Sequence, residues 1–80
     1  MNDNYYYIEA YDRDSRKTVY LTSGGTALTH LRKECHFHDL ESVAHLLNYV
    51  MSGKHVASHS VRHLQIWHRE GDWLTSVSSW

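Results

Sequence analysis

A single cysteine among eighty residues leaves no intramolecular disulfide to staple the chain. A chain of this length forms one domain, residues 1–80, that buries only roughly 60 to 65 per cent of the surface its unfolded form exposes. Its core is therefore thin, and small domains of this kind gain stability from a metal, a partner or self-association. Charge of one sign is also missing. Eight Lys and Arg against nine Asp and Glu leave a formal charge of -1. No strong field draws the protein to phosphates or to an anionic membrane, so nucleic acid is not favoured as the main partner.

No apolar run approaches the roughly 20 residues that span a bilayer. The polar start Met1-Asn2-Asp3-Asn4 lacks the basic and apolar regions of a signal peptide. With one unpaired cysteine, these features point to a cytoplasmic protein, in a host cell if the gene is viral. The specific catalytic and metal signatures are absent as well. There is no Cys-x-x-Cys and no His-Glu-x-x-His. Gly24-Gly25 lacks the lysine and further glycine of a phosphate-binding loop. Asp12 with Asp14, and Glu70 with Asp72, sit in polar turns where carboxylates stay solvated. An enzyme is disfavoured, and no cofactor is expected.

What the chain does contain is aromatic and imidazole side chains: six tyrosines, three tryptophans and eight histidines. Residues 5–11, Tyr-Tyr-Tyr-Ile-Glu-Ala-Tyr, favour a strand with Tyr6, Ile8 and Ala10 on one face and Tyr5, Tyr7, Glu9 and Tyr11 on the other. A polar turn over 12–16 returns the chain into Lys17–Thr22, which makes a hairpin ended by Ser23-Gly24-Gly25. Residues 26–34 fit helix and strand equally, and read as a connection that pins Leu28 or Leu31 to the core. Cys35 and Phe37 alternate with His36 and His38, as in a short strand with the first pair inward and the histidines outward together.

Asp39 is a good N-cap for an amphipathic helix over 40–52, with Glu41 in its first turn and Gly53 as its stop. Leu40, Val43, Ala44, Leu46, Leu47, Val50 and Met51 form its apolar stripe. Residues 61–67 and 73–77, joined by the turn signal Arg69-Glu-Gly-Asp72, read as a second hairpin. The expected fold class is α+β: an antiparallel sheet of about four to five strands, β-β-β-α-β-β along the chain, with one helix on one face.

Three chemistries compete for the unusual residues. A nucleophilic Cys35 needs a neighbouring base, but His36 next to it in a strand points to the opposite face. Cys35 reads instead as a small buried hydrophobe. His55, His59 and His63 lie at helical spacing and would align as metal ligands if 55–63 were helical; that makes a histidine-dependent transition-metal site the alternative function. The aromatics exceed what one helix on a small sheet can bury. Tyr5, Tyr7, Tyr11, Tyr20, Trp67 and Trp73, with His36 and His38, are accordingly the expected partner-binding residues, tyrosine and tryptophan being the types that form binding hot spots. Trp80 belongs with the same surplus.

The runs Tyr6-Tyr7-Ile8, Val19-Tyr20-Leu21-Thr22 and Cys35-His36-Phe37, leading into Asp39-Leu40-Glu41-Ser42-Val43-Ala44-His45-Leu46-Leu47, resemble small phage and mobile-element domains, anti-CRISPR proteins among them. The likeness covers residues 5–68 and brings no catalytic residues. It implies a protein that binds and blocks a host protein or complex. A homodimeric regulator of the phage itself is the further option. The lack of an acidic surface implies contact through aromatic and histidine side chains and not DNA mimicry.

Overall fold

The computed structural model describes residues 4–22, 28–29 and 36–79. Strands β1 (Asn4–Asp12), β2 (Lys17–Leu21), β3 (Leu28–Thr29), β4 (Val61–Glu70) and β5 (Trp73–Ser79) form one antiparallel sheet in the order β3-β2-β1-β4-β5. Helix α1 (Leu40–Met51) lies between β3 and β4 in the chain. The α+β class is as expected, but the third strand is not. Leu28–Thr29 fills that place on the rim of β2, while 36–37 contributes a single bridge in which Phe37 and Tyr6 exchange backbone bonds of 2.8 and 2.9 Å. Cys35, Ser23-Gly24-Gly25, Leu31 and Trp80 lie outside the described residues.

Strand alternation decides which side chains α1 covers. Ile8 and Ala10 of β1 pack with Val19 and Leu21 of β2, and with Val43, Leu46, Leu47 and Val50 of the helix. Tyr6 and Phe37 flank this core. Ile8, Val19, Leu21 and Val43 are its largest fully buried members. Leu40 and Met51, counted in the apolar stripe, are 44 % and 52 % exposed, because they fall at the two ends of the helix.

β4 departs from simple alternation. Glu9 pairs with Gln65 but Tyr11 pairs with Arg62, so two residues of β4, His63 and Leu64, oppose Ala10. His63 adopts φ +55°, the left-handed conformation that lets a strand absorb an extra residue as a bulge. Val61 thereby joins Leu64 and Ile66 inside the core, a set that strict alternation would split between faces. A left-handed histidine is strained by about 1 kcal/mol or more. His63→Gly is therefore expected to raise the melting temperature by about 4 to 8 °C, read by thermal unfolding.

The turns follow their residue chemistry. Asp12 accepts from the backbone N–H groups of Asp14 (3.4 Å) and Ser15 (3.3 Å) at the first hairpin. In the second, Gly71 takes φ +60° at the first central position of a two-residue loop, as a type II′ turn requires. At the helix end Ser52 N–H donates to Asn48 O, Gly53 (φ +84°) to Val50 O and Lys54 to Tyr49 O. Nothing crowds a Cβ at Gly53, so Gly53→Ala is expected to cost about 1 to 2 kcal/mol through backbone strain alone.

At the helix start Asp39 Oδ1 accepts from Ser42 N–H at 2.7 Å. That bond, with the Ser42 hydroxyl, holds the Asp39 carboxyl below its ordinary range. Hydrogen bonds from Ser15 act in the same direction on Asp12. A depressed carboxyl contributes stability above its unfolded-state value and loses it as pH falls through the folded value. Stability from this cap is thus complete above roughly pH 4 and declines below it. Asp39→Asn, which caps without ionising, should flatten that part of an acid-unfolding profile; Asp39→Ala should lose helix stability at every pH.

Candidate functional site

The helix and all five strands belong to this one two-layer arrangement, so no described helix or strand lies over the sheet face turned away from α1. That face is paved with rings. Tyr7 sits centrally, 6.1 Å from Tyr5 along its own strand and 5.7 Å, edge-on, from Tyr20 of β2. Trp67 of β4 is its cross-strand partner on the other side. His36 stacks flat on Tyr5 at 3.7 Å with 10° between planes. Tyr11 extends the row and is 39 % exposed. These positions share a face because Tyr5, Tyr7 and Tyr11 alternate with the core-facing Ile8 and Ala10, and the register aligns Trp67 and Tyr20 with them.

Tyr7 corrects one expectation: it is 2 % exposed and supports the patch from within instead of offering surface. Aromatic packing on that face buries it, an effect that simple alternation does not show. Tyr5, Tyr20 and Trp67 are half-buried and keep part of each ring at the surface. Arg62 lies opposite Tyr11 and Arg69 opposite Tyr5, so an arginine stands at each end of the row; Arg62 donates to His59 O and Val61 O, and Arg69 to Gly71 O. Gln65 Nε2 donates to Ser76 Oγ at 2.6 Å on the same face.

Among the described residues, two polar atoms in this region are buried with no hydrogen-bond partner: the Trp67 indole N–H and the Thr22 hydroxyl. An orphaned buried donor costs of order 1 to 3 kcal/mol. Alternation from Tyr20 places Thr22 on the aromatic face, so the two atoms flank Tyr7 from β2 and β4. Residue type alone signals the aromatics but gives no hint of these unsatisfied groups.

The remaining candidates go elsewhere. Trp73 is on the outermost strand, 79 % exposed. His38 is exposed at the bend before α1, next to Asp39, and does not join His36 over the rings. His68, unremarked in the sequence, stacks on Tyr6 at 4.2 Å and donates through Nε2 to Asn4 Oδ1 at 2.8 Å. Consecutive tyrosines thus carry a stacked imidazole on opposite sides of the sheet.

The metal alternative loses its geometry. Residues 56–60 form turns and β4 begins at Val61, so His55, His59 and His63 do not share a helical face. His55 Nδ1 instead accepts from Ala57 N–H at 3.0 Å, and its ring meets Tyr49 edge-on at 6.1 Å. Among the described residues no three His, Cys, Asp or Glu side chains are gathered to hold a metal ion. An open groove beside α1, lined by Phe37, Asp39, Glu41, His45, Tyr49 and His55 among others, brings two imidazoles and two carboxylates together beside the helix. Glu41, His45 and Tyr49 follow at i, i+4 and i+8, the pattern that would have shown it in the sequence.

No protein-family model, curated protein or solved structure matches this chain. Its function must be argued from the two sheet faces themselves. No described helix is long and apolar enough to cross a membrane.

Proposed function

We propose that the chain is a non-enzymatic protein-binding module, of the kind with which phage and mobile elements inhibit or regulate a host protein such as a CRISPR-Cas or other defence complex in the host cytoplasm. The observation that carries this reading is the continuous ring patch of Tyr5, Tyr7, Tyr20 and Trp67 on the helix-free sheet face, flanked by Arg62 and Arg69. Tyr, Trp and Arg are the residue types that dominate interface energetics when they cluster at the centre of a patch.

The near-neutral charge argues for a contact of this kind and against DNA mimicry or a phosphate-tracking groove. Affinity capture from a host lysate tests the reading through paired variants. The captured protein should be lost with Tyr11→Ala plus Tyr5→Ala, which weaken binding by about 30-fold or more at a hot spot. It should persist with Tyr49→Ala on the exposed side of the helix. Retention by the first pair and loss by Tyr49→Ala would move the binding surface to the groove beside α1.

A further inference from the structure

Half of the chain's lysines and arginines stand at one end of the sheet. Arg13, Arg16, Lys17 and Arg62 are all exposed there, because β1 ends at Asp12 opposite both Lys17, where β2 begins, and Val61, where β4 begins. Asp12 is turned inward, 8 % exposed, with its oxygens taken by the Asp14 and Ser15 N–H groups. Within 12–17 and 58–62 that leaves Asp14 as the one exposed acid. Outside this tip four lysines and arginines face seven acids, so the near-neutral total conceals a local positive excess. The two arginines at its centre are held in place by the backbone. Arg13 Nη2 and Arg62 Nη1 both donate to the carbonyl oxygen of His59, each at 3.3 Å, and Arg62 Nη1 also donates to Val61 O at 2.8 Å. One carbonyl thus holds two like charges together. Each guanidinium keeps its other nitrogens for a further acceptor, and among the described residues neither is paired with a carboxylate. Arg16 adds to the excess from a left-handed turn position, φ +58°, where glycine or asparagine would cost less.

We infer that this tip docks an acidic segment, two or more Asp or Glu carboxylates, of the protein that the ring face receives. The inference rests on the reading of that face as a protein-binding surface, and it names the chemistry of the partner at one end of it. Arg62 and the exposed Tyr11 are cross-strand partners, so the tip continues the row of rings. A guanidinium matches a carboxylate through two parallel hydrogen bonds. Two guanidiniums brought together with no acid between them gain their counter-charge when that segment docks. Four cations suit a short acidic stretch, whereas a nucleic-acid backbone needs a longer basic track.

The test titrates the whole chain with a dye-labelled glutamate peptide of about ten residues at about 10 mM salt, where screening is weak. A lysine peptide and a single-stranded oligothymidylate of the same length are run beside it. The glutamate peptide should bind and shift the backbone amide resonances of 13–17 and 59–62. Arg13→Gln plus Arg62→Gln, with circular dichroism unchanged, should weaken it by about 10-fold or more. Asp14→Asn should tighten it by about 3-fold, a direction that a poorly folded variant does not give. Absence of binding, resonance shifts confined to other residues, or equal binding of the lysine peptide would overturn the proposal. Tighter binding of the oligothymidylate would overturn the acidic segment and assign the tip to a nucleic-acid backbone. Capture from host lysate separates this inference from the ring-face reading. A host protein retained by the arginine pair but lost with Tyr5→Ala plus Tyr11→Ala overturns the tip and leaves the ring face standing. Glutamate-peptide binding as expected, with capture unaffected by the tyrosine pair, overturns the ring face and leaves the tip standing.

Discussion

Ile8→Ala is expected to lower folding stability by about 2 to 5 kcal/mol, measured by chemical denaturation. Ile8 has no exposed surface and sits on the central strand of the sheet, opposite Ile66 and within the cluster that receives Val43, Leu46, Leu47 and Val50 of the helix. Removing three carbons at that point leaves a void between two layers that have little else to collapse into it. A domain of this size has roughly 4 to 12 kcal/mol in total. The variant therefore loses a large part of its margin, and a change below about 1 kcal/mol would mean that α1 does not pack on this part of β1.

Tyr7→Ala should cost about 3 to 5 kcal/mol, although Tyr7 is on the face that α1 does not cover. Its ring is 2 % exposed and is held between Tyr5, Tyr20 and the cross-strand Trp67. At about 4 to 8 °C per kcal/mol for a domain of this length, the melting temperature should drop by at least about 12 °C. Tyr11→Ala, exposed at the end of the same row, should change stability by less than about 0.5 kcal/mol. A small loss at Tyr7 would show that the rings rest loosely on the sheet. The expected contrast separates residues that build the patch from those that touch a partner.

Much of this architecture is legible from residue order. Asp39 before an apolar stripe marks the helix start, and Gly53 its end, because each residue type meets a specific local backbone need. The alternation of Tyr6, Ile8 and Ala10 with Tyr5, Tyr7 and Tyr11 separates the two sheet faces before any tertiary contact is known. The bulge at His63 is not legible, since histidine carries no preference strong enough to announce a left-handed residue inside a strand. Leu28–Thr29 is hidden for another reason: its pairing with Tyr20 and Leu21 is a tertiary choice among equal local options. The candidate site divides in the same way. Composition singles out the rings, but the burial of Tyr7 and the orphaned Trp67 N–H depend on three strands meeting.

The most direct test of the central claim, that the ring-paved face receives the partner, is hydrogen exchange of the chain with and without its captured protein. Slowed exchange is predicted over β1, β2 and β4 around Tyr5, Tyr11, Tyr20 and Trp67, with α1 unchanged. Slowed exchange confined to α1 and the groove beside His45 and His55 would contradict it.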